Sequence, residues 1–275
     1  MLQGIDLSKW NTVPDYNKLS SSGLAFAYIK ASEAGYNDPE YRERHNAIGE
    51  TGLLRGSYHF FKANVDPIVQ AKAFLNAIGH TIVDGEMPPV LDIEDPKEQL
   101  TVMQYEDSVE KWLNYVEGQT SIKPMIYTGG WYWTQLQTLD NTSRFSHYPL
   151  WLSSYTPTYG KMFGGWTAPS LWQYTEKGNI ADINPVDLDY YYGSPSDLWS
   201  FCKMKPISKS TSFAPKAKAV QDRLSEVGFY KSAIDGQFGA NTENALMAFQ
   251  KAKGLEQNGI MDVNTWVELF EIKTF

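Results

Sequence analysis

Over the first two hundred residues, short apolar runs alternate with helical patterns, and this alternation restricts the fold more than any other feature of the chain. The β-rich runs fall at 5–7, 25–29, 53–61, 89–93, 124–128, 150–154 and 171–174. Between the early ones lie helical stretches. Residues 39–50 open after Asn37-Asp38, an N-cap signal with Pro39 just inside. Residues 67–78 follow Asp66 in the same way. Residues 102–116 place Val102, Tyr105, Val109, Trp112, Leu113 and Val116 on one face at helical spacing. Strand and helix in alternation predict an α/β class with a parallel sheet covered by helices. At this length a closed barrel is the expected outcome. After Tyr127 the helical segments shrink, so the last third should depart from a regular eightfold repeat.

Residues 202–215 are polar, aperiodic and rich in Ser, Lys and Pro, which predicts a linker over 201–214 between a domain at 1–200 and a second at 215–275. The second part reads as small and all-α, with helices at 216–228, 243–253 and 266–272. Ala219, Val220, Leu224 and Val227 share one side of the first. The turn from Asp235-Gly236 to Thr242 and the turn from Asn258-Gly259 to Thr265 have the same layout, a weak internal duplication. Charge separates the two parts as well. The net charge is -8, and the whole excess of acid lies in residues 1–205, the remainder being neutral.

No basic run or basic face points to nucleic acid, and no stretch is apolar enough for membrane insertion. One cysteine, Cys202, leaves no internal disulfide and suggests folding in a reducing cytoplasm. Met1 is followed by Leu-Gln-Gly-Ile-Asp, which does not read as a signal peptide. The four histidines show no ligand spacing, so no metal site is expected. Neither a Gly-rich phosphate loop nor a Gly-x-Ser-x-Gly elbow occurs, and no cofactor is implied.

The segment with most chemical content is Pro88-Pro89-Val90-Leu91-Asp92-Ile93-Glu94-Asp95-Pro96. An apolar strand runs straight into three carboxylates. Period-two alternation puts Asp92 and Glu94 on one face, while Asp95 points away and suits a helix cap. Parallel α/β sheets carry their working residues at the carboxyl ends of strands. Two acids held together cannot both ionise freely, so one becomes usable as a general acid. Asp6 ends the first strand, and Asp182, Asp187 and Asp189 cluster near the end of the domain. Lys30, Glu33, Tyr58, His59, Tyr127, Trp151, Trp172, Gln173 and Tyr174 fall at strand ends, where rings and polar tips suit sugars.

In order along the chain, Gly4-Ile5-Asp6-Leu7-Ser8-Lys9-Trp10, Phe26-Ala27-Tyr28-Ile29-Lys30-Ala31-Ser32-Glu33, Gly56-Ser57-Tyr58-His59-Phe60 and Pro89-Val90-Leu91-Asp92-Ile93-Glu94 resemble the successive motifs of glycoside hydrolase family 25 lysozymes. Leu171-Trp172-Gln173-Tyr174 and Val186-Asp187-Leu188-Asp189 resemble that family's closing motifs. The resemblance implies an irregular β/α (TIM-like) barrel and hydrolysis of the β-1,4 bond from N-acetylmuramic acid to N-acetylglucosamine. It implies Glu94 as general acid, Asp92 as its neighbour, and Asp6 and Asp187 as further active-site acids. Of the strand-end residues, Lys30, Glu33, Tyr58, His59, Tyr127, Trp151, Gln173 and Tyr174 are the expected substrate-binding set. Asp-x-Glu at a strand end is similar to chitinase-type sites, where the substrate's acetamido group attacks the anomeric carbon. The rival is a carboxylate, Asp6, that activates water directly.

From about 215 to 270 the chain resembles the small helical peptidoglycan-binding domain. The matching residues are Val220-Gln221-Asp222-Arg223-Leu224, Asp235-Gly236-Gln237-Phe238-Gly239, Thr242, Phe249-Gln250, Gly254-Leu255 and Gly259-Ile260. The combination implies a monomeric phage endolysin whose partner is cell-wall peptidoglycan. Such a protein would wait in the host bacterial cytoplasm until released, or ride on a virion. The alternatives are a non-catalytic wall binder and a chitinase-like hydrolase of another N-acetylated glycan. Deleting residues after about 205 is expected to spare cleavage of soluble fragments and to weaken attachment to whole walls.

Overall fold

A computed structural model describes residues 1–79, 82, 85–136, 143–210 and 216–275. The strands are β1 (Leu2–Leu7), β2 (Phe26–Glu33), β3 (Tyr36–Asn37), β4 (Leu54–Phe60), β5 (Val90–Asp92), β6 (Met125–Gly129), β7 (Leu150–Ser153), β8 (Leu171–Ile180) and β9 (Ile183–Tyr191). The helices are α1 (Tyr16–Ser20), α2 (Tyr41–Gly49), α3 (Pro67–Ile78), α4 (Val102–Thr120), α5 (Gly130–Leu136), α6 (Pro195–Phe201), α7 (Ala217–Glu226), α8 (Ala240–Ala252) and α9 (Val263–Leu269). The sheet runs β1-β9-β8-β7-β6-β5-β4-β2-β3, and β1 also pairs with β2, which closes an eight-stranded barrel and leaves β3 as an outer hairpin arm.

The predicted alternation is the architecture of the first two thirds. From β1 through β8 the barrel neighbours are parallel, and the outward residues of the strands pack beneath helices. The caps explain the sharp starts. Asp66 accepts from the amides of Ile68 and Val69, with Pro67 in the first turn and Gly79 ending α3 in the left-handed region. Thr101 and Gln104 form a capping box on α4, and Tyr105, Val109, Trp112, Leu113 and Val116 are its buried stripe. The helix expected from residue 39 begins only at Tyr41, because Asp38 folds back to accept from the amides of Glu40 and Lys9. The irregular part is the closure. β8 returns directly into β9, which lies antiparallel to both β8 and β1. No helix separates them, so β9 enters the barrel from the opposite direction.

The tail duplication is physical. Gln221 on α7 donates to Asp235, the Gln237 carbonyl and Thr242, while its Oε1 accepts from the amides of Asp235 and Gly236. Gln250 on α8 does the same with Asn258, the Ile260 carbonyl and Thr265, accepting from the amide of Gly259. Both glutamines are fully buried. Thr242 and Thr265 therefore serve as partners inside the first turns of α8 and α9, and each helix starts about one turn earlier than the sequence suggests.

The stretch read as a linker, 201–214, is described up to Ser210; residues 211–214 lie outside the described residues. Over the described part it is held. Cys202 and Ile207 are buried, the Cys202 carbonyl accepts from the amide of Gly85, and Ile207 pairs with Met261. The barrel's lower interior, including Leu2, Phe26, Leu54 and Val90, forms one continuous core with Leu224, Trp266, Leu269, Phe270 and Ile272 of the helical tail. The tail thus caps the amino-terminal end of the barrel.

Candidate active site

Closure of the sheet gathers acids from distant parts of the chain at the carboxyl ends of the parallel strands. Asp92 ends β5, paired with Phe60 of β4 and Tyr127 of β6. Glu94 follows two residues on. Asp6 on β1 stands opposite Asp187 on β9. All four acids line an open cleft of about 470 Å³, together with Lys30, Tyr58, Tyr127, Trp151 and Gln173.

Burial dominates the electrostatics. Removal from water raises Glu94 above the usual carboxylate range; Asp187 adds to this and Lys30 opposes it. Burial, and then the charge of Glu94, raises Asp92. Burial and the neighbouring Asp187 and Asp189 raise Asp6, against a hydrogen bond from Gln173. Burial pushes Asp187 up to about 6, and a hydrogen bond from Asp6 pulls the other way. Burial and mutual repulsion thus favour the protonated form among these carboxyls, the condition for a general acid.

This arrangement costs stability. Between the ordinary value near 3.8 and about 6, the folded chain holds more protons at Asp187 than the unfolded chain does. Stability conferred at low pH is thus lost as pH rises through that window. Asp187→Asn should raise the Tm by a few degrees at pH 7 and leave it unchanged near pH 3, as measured by calorimetry. An unchanged Tm at pH 7 would show that Asp187 is not strained by its surroundings.

Gln173, 3% exposed, organises one wall. Its Oε1 accepts from the hydroxyls of Tyr127 and Tyr155, both at 2.8 Å, and its Nε2 donates to Asp6 Oδ2 at 2.7 Å. Trp151 donates to Asp189 Oδ1 at 2.8 Å, which fixes the indole under the cleft. The buried Lys30 reaches Glu33 at 2.6 Å and lies over the Phe60 ring.

Three residues of the expected binding set do not line the cleft. Glu33 sits behind Lys30, between it and Lys62. His59 points outward from β4 into the helical layer, stacked on Trp112 and fully buried. Its Nε2 meets Gln70 Oε1 at 3.0 Å, so that nitrogen carries the proton and Nδ1 accepts from Ser32. Burial lowers its pKa to about 4, which keeps it neutral. Tyr174 also faces outward, stacked on Tyr190, its hydroxyl accepting from Gln3. Asp182 is exposed and pairs with Lys18 in the β8–β9 turn. Asp95 binds Lys62 at 2.8 Å.

Residues not anticipated include Trp10, Trp131, Tyr155 and Glu176, which also line the cleft. Trp10 is 81% exposed and Trp131 54%. The sequence signal was available, since Trp10 and Trp131 follow the ends of β1 and β6 by only a few residues. Among the described residues no group of His, Cys, Asp and Glu side chains is arranged to hold a metal ion.

The geometry agrees with comparisons to known proteins. The model of glycosyl hydrolases family 25 matches residues 5–183, and that of a peptidoglycan-binding domain matches residues 214–269. Uncharacterized protein YegX of Escherichia coli is 34% identical over 208 residues, covering 73% of each chain. Lysozyme M1 of Streptomyces globisporus is 29% identical over 209 residues, covering 72% of this chain and 70% of that one. A muramidase structure from Acremonium alcalophilum superposes with a TM-score of 0.67 at 27% identity, covering 74% of this chain and 99% of that one. A closed barrel with paired acids at its carboxyl end and a family match over most of the chain lead to one assignment: this chain belongs to glycosyl hydrolase family 25.

Proposed function

We propose that the chain is an N-acetylmuramidase, a lysozyme that hydrolyses the β-1,4 bond between N-acetylmuramic acid and N-acetylglucosamine in bacterial peptidoglycan. The observation that carries this reading is the placement of Asp92 and Glu94 at one strand end, beside the Asp6–Asp187 pair, in an open cleft edged by exposed tryptophans. Glu94, whose pKa burial raises, donates to the glycosidic oxygen as the bond to the anomeric carbon breaks. The substrate's acetamido oxygen attacks that carbon and forms an oxazolinium ring. Water then opens the ring, giving its proton to Glu94 and restoring the acetamido group.

Asp92 supports the acetamido N–H in this scheme. Its Oδ1 is buried and makes no hydrogen bond among the described residues. Asp6 is a poor candidate for activating water, because its carboxyl is 6% exposed and already engaged by Gln173 and Asp187. Substrate assistance retains the anomeric configuration. NMR of the first product formed on purified peptidoglycan should show the β-anomer; initial inversion rules out the acetamido route. Mass analysis should find muramic acid at the reducing ends, and chitin should be a poor substrate by comparison.

The finer reading is a monomeric phage endolysin, active at the wall after release from the host bacterial cytoplasm. The helical part from 215 to 275 serves as its wall-binding unit, which the match to the peptidoglycan-binding domain supports.

A further inference from the structure

The hydrogen bonds around Gln173 run in one direction. The hydroxyls of Tyr127 and Tyr155 converge on Oε1, with Ser153 Oγ at 3.5 Å. Burial raises the pKa of both phenols, so they remain O–H donors. The amide is thereby turned so that Nε2 faces Asp6 Oδ2. With the amide reversed, two acceptor oxygens would meet there, and the single Asp6 proton would be consumed in separating them.

Asp6 and Asp187 are cross-strand partners, and Asp6 hydrogen-bonds Asp187. Two carboxyls can share a hydrogen bond only if one proton lies between them. Because Oδ2 of Asp6 already accepts from Gln173, the proton belongs on the other Asp6 oxygen. We propose that Gln173 is a positioning residue: by engaging Oδ2 it aims the remaining Asp6 oxygen, with its proton, at Asp187, and keeps Asp187 as the charged carboxylate of the cleft. This rests on the reading of the cleft as a glycosidase site in which Asp187 works as an anion. The relay passes from the cleft rim, where Tyr155 is 48% exposed, to the Asp6–Asp187 pair.

The direction of the effect follows. A hydrogen bond from Asp6 lowers the Asp187 pKa. When Gln173 is lost, the Asp6 carboxyl is free to turn, Asp187 loses its donor, and it holds its proton to higher pH. The acid side of the activity profile should therefore move upward. Gln173→Met keeps the volume and removes both hydrogen-bonding ends. Gln173→Glu keeps the acceptor for the two phenols but places a second acceptor against Asp6.

The experiment measures kcat and KM against pH on soluble peptidoglycan fragments for the full chain and both variants. Circular dichroism and thermal unfolding check the fold. The expected result is a kcat about ten- to hundredfold lower at the wild-type optimum, the size associated with a hydrogen bond to a charged group. KM should change little, and the acid limb should shift upward in both variants. A folded Gln173→Met protein whose acid limb matches wild type overturns the proposal, whatever its kcat. Glu94→Gln, run in parallel, separates the two ideas. Retained activity there removes Glu94 from the chemistry, and products without new muramic acid reducing ends remove the glycosidase assignment itself; an inactive Glu94→Gln with an unshifted Gln173→Met removes only the role of Gln173.

Discussion

Glu94→Gln should leave a protein that sediments with cell walls and does not lyse them, with turnover reduced about a thousandfold. The size follows from the usual contribution of a positioned general acid, between roughly a hundred- and ten-thousandfold. The substitution is close to isosteric, and it removes a carboxyl whose charged form burial disfavours. Stability at neutral pH should therefore be unchanged or slightly higher, so lost activity cannot be blamed on unfolding. Turbidity loss of walls, release of reducing ends and a pull-down with insoluble walls supply the three readouts. A non-catalytic wall binder would show no difference in any of them, and a variant that keeps full activity removes Glu94 from the chemistry.

Removal of the tail should damage the barrel itself. Taken alone, the polar stretch near 201–214 implies a tether that can be cut. The structure changes that expectation. Trp266 donates from its indole to the Gly52 carbonyl at 2.9 Å, and the buried Lys216 amine donates to the carbonyls of Thr51 and Leu53. The last residues are tied to the barrel's base: Thr274 bridges to Leu2 of β1, the amide of Phe275 donates to the Met1 carbonyl at 2.9 Å, and that of Lys273 to the Gly23 carbonyl, ahead of β2, at 3.0 Å. Trp266, Leu269, Phe270 and Ile272 are all buried. At roughly 1.5–3 kcal/mol for each large apolar side chain buried, the dock is worth several kcal/mol. A chain ending near 205 should melt about 10 °C or more below the full protein, or aggregate through its exposed base. A gentler test is Gly52→Leu. A Cβ there would stand 2.1 Å from the Phe270 ring, so the tail must move away. The full chain should unfold in one transition and the variant in two. A truncated barrel that melts with the full chain would show that the tail is only a passenger.

A fixed dock also alters the way the tail can help catalysis. A flexible tether raises local concentration over a wide radius. A unit locked onto the barrel's amino-terminal end presents the cleft, at the opposite end, with one orientation to the wall.

Some of this was legible in local patterns. Alternating strand and helix signals, with a cap at Asp66 and the apolar stripe of 102–116, marked the barrel's first two thirds because capping and periodicity act over a few residues. Asp92 and Glu94 could be read as one-faced because side-chain alternation needs only the strand itself. The same rule says that Tyr58 and His59, or Gln173 and Tyr174, cannot share a face. Which member of each pair turns inward was not contained in that rule. It was decided when the sheet closed, putting Tyr58 and Gln173 in the cleft and His59 and Tyr174 among the outer packing. The Asp6–Asp187 pair depends on β9 running antiparallel between β8 and β1, and the base depends on a core shared by two segments far apart in the chain. The sequence by itself determined the elements, the acid pair on β5 and the duplicated tail, since those are set by neighbours along the chain. Tertiary structure alone decided which acids meet, which glutamine orients them and what covers the barrel's base, because those contacts arise only on closure and burial.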